Sequence, residues 1–173
     1  MLPPNFTAPI GTRQGLVAFA ALGLLCAAIV IALGFQHLGG FIPCALCLEQ
    51  RTPYYVAIPL LAAGLLLHAR SAPAFMVRGC FALAAITMLY GMALGVFHAG
   101  FEWQLWAGPA DCAVVNGGNA VAAGDLLSTI DSTRPPSCDQ AAGRFLGLSF
   151  AGWNAVSAAF GAVLAGYAAF SRD

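Results

Sequence analysis

The chain has 173 residues, of which 60% are hydrophobic and only 8% are charged, whereas soluble globular domains carry about 25% charged residues. So few charges cannot cover the surface of a soluble enzyme, and a disordered linker or a small secreted disulfide-rich domain fits no better. Seven basic residues, all arginine, balance seven acidic ones, which excludes a basic surface for nucleic acid and a polyacidic tail.

Four long stretches of the chain contain no charged residue. A bilayer core about 30 Å thick needs about 20 mostly apolar residues of helix. The stretches are Gln14–Leu48, Thr52–Ala69, Gly79–Phe101 and Phe145–Ser171, and the second is long enough if its helix begins near Cys44. The sequence therefore predicts an all-α membrane protein, a single domain over residues 1–173 that forms a four-transmembrane-helix bundle. We expect helices near residues 15–36, 44–68, 75–97 and 147–170, with a long loop over 98–146.

The first hydrophobic stretch has one feature of a signal peptide, since Arg13 precedes it. Its apolar run, residues 15–35, is longer than the roughly 7–15 residues of a signal-peptide core, and no convincing A-x-A cleavage site follows it. We therefore expect an uncleaved first transmembrane helix.

The few charges divide unequally between the two ends of this predicted bundle. The N-terminus, the 69–78 loop and the C-terminus hold four arginines and one acidic residue, a balance of +3. The other side holds three arginines and six acidic residues, a balance of −3. Because cytoplasmic loops of membrane proteins carry the excess of arginine, we expect both termini in the cytoplasm and the 98–146 loop outside.

The six cysteines fall into two groups under this topology. Cys26 and Cys80 lie inside apolar helices, where a free cysteine behaves as a small hydrophobic residue. Four cysteines outside the membrane indicate an oxidising compartment in which disulfides form. The four at or beyond the outer face are Cys44, Cys47, Cys112 and Cys138.

Cys44 and Cys47 form a C-x-x-C motif, a spacing that lets two sulfurs close an easily opened ring and is typical of thiols with lowered pKa. Pro43 breaks any earlier helix, so the motif is predicted to open helix two, where the positive end of the helix dipole favours a thiolate. In such a helix Cys44, Cys47 and Arg51 lie along one face. Arg51 then either reaches the lipid headgroups or hydrogen-bonds an electron acceptor beside the thiols.

Cys112 and Cys138 are separated by a stretch with several glycines and prolines. A structural disulfide between them would contribute about 3–4 kcal/mol in the chain-entropy model. An exposed bridge beside a reactive C-x-x-C would instead exchange with it, because exposed disulfides are the labile ones. Structural zinc prefers two closely spaced pairs of ligands, which this loop pair does not supply, and we predict no metal.

Several short motifs occur along the chain in the same order as in one known family. They are Phe35-Gln36-His37, Pro43-Cys44-Ala45-Leu46-Cys47, Arg51, His98, Asp111-Cys112, Ser137-Cys138 and Phe145-Leu146-Gly147-Leu148 through Trp153. As a set they make the chain, from about residue 15 to residue 170, resemble the bacterial disulfide-bond formation protein DsbB. Two features depart from that family. Ala151-Gly152 stands where a proline is common, and the stretch between the two loop cysteines shows little likeness.

The resemblance implies a quinone-dependent protein-disulfide oxidoreductase of the bacterial inner membrane, with both termini cytoplasmic and the active cysteines on the periplasmic face. Its implied partner is a DsbA-like periplasmic thiol oxidase of thioredoxin fold. Its implied electron acceptor is ubiquinone or menaquinone from the membrane pool, bound without a covalent link.

The resemblance also implies a role for each matching residue. Cys112 and Cys138 take electrons from the partner, which engages Cys112 first. Cys44 and Cys47 then reoxidise the loop pair. Cys47 faces the quinone with Arg51 beside it.

His98 matches a family histidine near the quinone. Without the resemblance it would be an interfacial histidine.

Two other functions remain open from the sequence. A vitamin-K-epoxide-reductase-like enzyme shares a membrane helix bundle with C-x-x-C and quinone chemistry, but its redox motif lies near the end of the bundle, whereas Cys44 and Cys47 follow the first helix. The second of these hypotheses is a nonenzymatic membrane scaffold with a structural disulfide loop.

Overall fold

The computed structural model describes residues 8–106, 141 and 143–171. Its helices are α1 (Thr12–His37), α2 (Ala45–Glu49), α3 (Thr52–Ala69), α4 (Ala74–Glu102) and α5 (Phe150–Phe170), and the strands β1 (Arg144–Phe145) and β2 (Leu148–Ser149) precede α5. Within these residues four helical segments are long and apolar enough to cross a membrane, with α2 and α3 together forming the segment Ala45–Ala69. The predicted bundle of four membrane-length helices is confirmed.

The second membrane segment is interrupted near its start. Gln50 and Arg51 form a turn between α2 and α3, and Pro53 lies in the first turn of α3. Proline is tolerated there because its missing N–H has no partner within the helix, but its ring hinders continuation of a preceding helix. The continuous helix over 44–68 that the sequence predicted is therefore two helices joined by a turn.

Two further differences between the structure and the prediction concern the predicted loop over 98–146. Helix α4 continues to Glu102, so residues 98–102 are helical. At the far end β1 and β2 pair as an antiparallel hairpin, and α5 begins at Phe150 rather than near 147. Residues 107–140, including most of the predicted loop, lie outside the described residues.

Helix α5 begins directly after this hairpin. Leu146 and Gly147 occupy its turn with φ of 52° and 84°, the two positive φ values that a tight two-residue turn requires. Ser149 then caps α5, since its hydroxyl oxygen accepts a hydrogen bond from the Gly152 N–H at 3.2 Å. The turn and the cap set the entry of α5 at the place where a proline is common in the family that the chain resembles.

Small residues bring the helices close together. A Cβ added at Gly95 of α4 would lie 2.7 Å from the backbone nitrogen of Ala155 in α5, and one at Gly161 would lie 2.8 Å from the Leu25 side chain. Close backbone approach of this kind supplies much of the packing between membrane helices. Large apolar side chains such as Phe160, which is 61% exposed, lie on the outside, as a lipid-facing surface requires.

A polar cluster joins the chain ends at one end of the bundle. Arg78 is fully buried, and its guanidinium donates hydrogen bonds to the carbonyls of Ala169 and Ser171 at 2.6 and 3.1 Å and to that of Ala8 at 3.1 Å. The buried Gln14 amide donates to the Ser171 hydroxyl at 3.1 Å. Arg78, which the sequence placed in a loop, is thus a helical residue that satisfies carbonyls at the end of α5.

We expect Arg78→Met to lower the free energy of unfolding by about 2–4 kcal/mol, because it removes the hydrogen bonds from the guanidinium to the carbonyls of Ala169, Ser171 and Ala8 while keeping an apolar stem. Thermal unfolding in detergent, followed by the loss of helical circular dichroism, measures this. Arg70→Met is the matched control, since Arg70 is exposed after α3 and its removal is expected to cost less than about 0.5 kcal/mol. Equal effects of the two substitutions would contradict the role assigned to Arg78.

Candidate active site

The two cysteines of the C-x-x-C motif lie at the end of the bundle opposite the Arg78 cluster. Cys44 is the N-cap of α2, and its sulfur accepts a hydrogen bond from the Cys47 N–H at 3.2 Å. The two Sγ atoms lie 2.7 Å apart, and both cysteines are free thiols. Because a disulfide bond is about 2.05 Å long, a small movement of either side chain closes the bridge.

Cys44 faces the interior of the bundle. It is 5% exposed, and its Sγ lies 3.9 Å from Nε2 of His98. His98 is itself 2% exposed, and its Nδ1 contacts the Gln50 side-chain amide at 2.5 Å. The extension of α4 beyond residue 97 is what brings His98 beside the thiols.

Cys44 is the more acidic sulfur of the reduced pair. A hydrogen bond from the Cys47 thiol lowers the pKa of Cys44 from 9.0 to about 4; burial opposes this shift, and hydrogen bonding to His98 adds to it. When both thiols are reduced, the negative charge therefore lies on Cys44.

Cys47 faces the other way, toward a cavity of about 540 Å³. Cys47 and Arg51 both line this cavity, together with apolar residues of α1 and α5, whereas Cys44 and His98 do not. The guanidinium of Arg51 donates a hydrogen bond to Oε1 of Gln36, which also lines the cavity. The sequence placed Cys44, Cys47 and Arg51 on one helix face. The structure divides them, with Cys44 toward His98 and the other two toward the cavity.

Three aromatic rings form part of the cavity wall. The ring centroids of Phe35 and Phe150 are 5.0 Å apart, those of Phe41 and Phe150 are 5.7 Å apart, and those of Phe35 and Phe41 are 5.9 Å apart. Ring pairs at such distances attract each other through their edges and faces. The cluster gives the cavity an apolar aromatic wall.

Two buried polar atoms near the site have no hydrogen-bond partner. One is Nδ2 of Asn154, on a side chain that lines the cavity. The other is Oε2 of Glu102, whose Oε1 lies 3.9 Å from Nε2 of His98. Unsatisfied buried polar groups cost about 1–3 kcal/mol each, so both atoms are candidates for contact with a ligand.

Four of the six predicted site residues are therefore close together: Cys44, Cys47, Arg51 and His98. The other two, Cys112 and Cys138, lie outside the described residues. Sequence reasoning missed Gln50, Glu102 and Asn154. A signal existed for Glu102, because it follows His98 by four residues and so shares its helix face. Nothing in the sequence linked Asn154 to the dithiol.

The fold and the site define a four-helix membrane protein with a redox-capable dithiol at one end of its bundle. The family model described as Disulfide bond formation protein DsbB matches residues 13–168, and the chain belongs to this family. Comparison with curated proteins finds no match, and comparison with solved structures finds none either. Membership confirms the resemblance read from the motifs, and it implies a multi-pass membrane protein of disulfide bond formation.

Proposed function

We propose that the protein oxidises a DsbA-like periplasmic thiol protein and delivers the electrons to a membrane quinone, ubiquinone or menaquinone. The position of Cys47 carries this proposal. Its sulfur lies 2.7 Å from that of Cys44 on one side, and the residue lines the apolar cavity on the other. Electrons that reach this pair can therefore leave it toward a ligand in the cavity.

The residues of the cavity fit a quinone. Its wall follows α1 from Leu24 to Phe35, a length suited to an apolar ring with a prenyl tail. Arg51 and the unpartnered Asn154 amide would supply hydrogen-bond donors for the two carbonyl oxygens. When bound, the quinone supplies an acceptor for the two electrons and two protons released as Cys44 and Cys47 form their disulfide.

The proposed exchange begins at the loop pair. A partner thiolate attacks Cys112 of a Cys112–Cys138 disulfide and forms a mixed disulfide, which frees Cys138. The Cys138 thiolate then attacks Cys44 of the Cys44–Cys47 disulfide and releases Cys47 as a thiolate. The second partner thiol resolves the mixed disulfide, so the partner leaves oxidised and Cys112 is freed. The Cys112 thiolate then attacks Cys138 of the Cys44–Cys138 bridge, which restores the loop disulfide, releases Cys44 and leaves two electrons on the Cys44–Cys47 pair.

His98 is proposed to act at Cys44. Its Nε2 lies 3.9 Å from the Cys44 sulfur, and it does not line the cavity. In this position it stabilises the Cys44 thiolate when the exchange releases it. The family resemblance implied that His98 contacts the quinone. We propose that Arg51 and Asn154 make this contact instead.

The dithiol end is proposed to face the periplasm. Arg13 and Arg70 are exposed at the opposite end of the bundle, and Glu49 is exposed beside the dithiol. Excess arginine marks the cytoplasmic side of a membrane protein. The proposed location is therefore the bacterial inner membrane, with both termini in the cytoplasm.

The purified protein in lipid vesicles, supplied with a reduced DsbA-like protein and a soluble ubiquinone or menaquinone analogue, tests this function. We expect one quinone reduced per partner disulfide formed, measured by quinone absorbance and by counting partner thiols. Oxidation of the partner without quinone consumption would contradict the proposal. A nonenzymatic scaffold would give neither reaction.

A further inference from the structure

Three atoms that can bind a metal ion converge at the dithiol. The sulfurs of Cys44 and Cys47 and a ring nitrogen of His98 all lie within 4.8 Å of one another. Two thiolates with an imidazole are a ligand set that zinc takes in proteins. We propose that the reduced dithiol and His98 form a binding site for a thiophilic divalent cation of the zinc class.

The distances suit a tetrahedral ion with little rearrangement. With Zn–S of about 2.3 Å and Zn–N of about 2.0 Å, sulfur and nitrogen ligands of one tetrahedral ion are about 3.5 Å apart, and two sulfurs are about 3.8 Å apart. Cys44 Sγ and His98 Nε2 are already 3.9 Å apart. The 2.7 Å between the sulfurs must open by about 1 Å, and Cys47 has room to turn because it borders the cavity.

His98 is held in an orientation that suits a ligand. Gln50 occupies Nδ1 at 2.5 Å, which leaves Nε2 directed at the sulfurs. Metal-binding histidines commonly have their second nitrogen fixed in this way by a neighbouring group. With a metal on Nε2, Nδ1 carries the proton and the Gln50 amide turns over to accept it through Oε1.

Glu102 provides a second, independent observation. Its side chain is 5% exposed, and Oε1 lies 3.9 Å from His98 Nε2, while Oε2 has no hydrogen-bond partner. A buried carboxylate oxygen without a partner is costly, and a bound cation offsets that cost. Glu102 is therefore assigned as the acceptor for a water on the ion, since the mutually close ligand atoms are those of Cys44, Cys47 and His98.

The site exists in only one redox state. A disulfide between Cys44 and Cys47 removes both thiolate ligands, so the oxidised protein cannot bind the ion in this way. Each thiol that becomes a ligand gives up its proton to solvent, and no group changes its oxidation state. A bound ion thereby holds the pair reduced.

Titration with Co²⁺ tests the site, because tetrahedral cobalt with thiolate ligands has visible absorption bands. The protein is a Cys112→Ser/Cys138→Ser double variant, so that loop thiols cannot compete. We expect one Co²⁺ per chain in the reduced protein, displaced by Zn²⁺, and none in the oxidised protein. His98→Gln should weaken binding at least about tenfold. His68→Gln, in the last turn of α3 near Gly15 at the other end, should leave binding unchanged.

A second measurement requires no substitution. In the reduced wild-type protein, Zn²⁺ should protect Cys44 and Cys47 from alkylation, as mapped by mass spectrometry, and should not protect Cys26 or Cys80. The proposal would be overturned if His98→Gln bound cobalt as tightly as the double variant from which it is made. It would also be overturned if Zn²⁺ gave Cys44 and Cys47 no protection. Neither measurement uses quinone or partner, so the site can fail while the oxidase function stands, and the reverse.

Discussion

Cys47→Ser is expected to lower quinone-linked turnover by at least about 10³-fold, as removal of a reacting nucleophile does in other enzymes. A serine oxygen cannot form the disulfide with Cys44, and Cys47 is the cysteine of the pair that borders the cavity. The rate of quinone reduction with reduced partner protein measures the effect. Cys44→Ser should have the same result because both sulfurs are needed to carry two electrons.

Cys26→Ser is the matched control for these substitutions. It makes the same change of sulfur to oxygen on α1 at an exposed position, and we expect turnover to stay within about twofold. A Cys47→Ser protein that reduces quinone at the wild-type rate would contradict the proposed path of electrons. A loss of turnover in Cys26→Ser would indicate a general effect on the fold instead.

The number and approximate position of the membrane helices could be predicted because bilayer thickness sets a length that charged residues interrupt. The stretch Gly79–Phe101 indicated a helix for this reason, and α4 spans Ala74–Glu102. The ends were less predictable. Glu102 is charged, so it marked the end of the apolar stretch, yet its carboxylate is accommodated beside His98 within the last turn.

The chemistry of the C-x-x-C motif could likewise be predicted from its spacing. The sequence did not show that its two cysteines face different surroundings. A regular helix would place Cys44 and Cys47 on one face with Arg51. Cys44 instead has extended backbone as the N-cap, with ψ of 170°, and the turn at Gln50 interrupts the helix. These local features direct one sulfur to His98 and leave the other at the cavity.

Contacts between distant segments could not be predicted from the sequence, for a different reason. Arg78 was counted as a charge of the 69–78 loop, whereas its hydrogen bonds to Ala169 and Ser171 depend on how α4 and α5 are juxtaposed. Asn154 borders the cavity because α5 packs against α4 and α1. Hydrophobic periodicity shows that a helix is buried on one side, but it does not identify which polar side chain faces which neighbour.

Arg51→Ala is expected to raise the KM for quinone about tenfold to a hundredfold, the loss of one hydrogen bond from a charged donor in a desolvated site. Arg51 lines the cavity beside Cys47. Steady-state rates at varied quinone concentration give the KM. Partner oxidation by pre-oxidised enzyme in a single turnover should be unchanged, because that step uses only the stored disulfides.

Two comparisons distinguish this role from a structural one. Arg70→Ala removes an equal charge from an exposed position at the other end of the bundle and should leave the KM for quinone unchanged. Asn154→Leu should also raise the KM, since it removes the second donor of the cavity, but by less, because a neutral amide donates a weaker hydrogen bond than a guanidinium. If Arg51→Ala leaves the KM unchanged while Asn154→Leu raises it, the cavity still binds quinone and Arg51 serves the lipid headgroups.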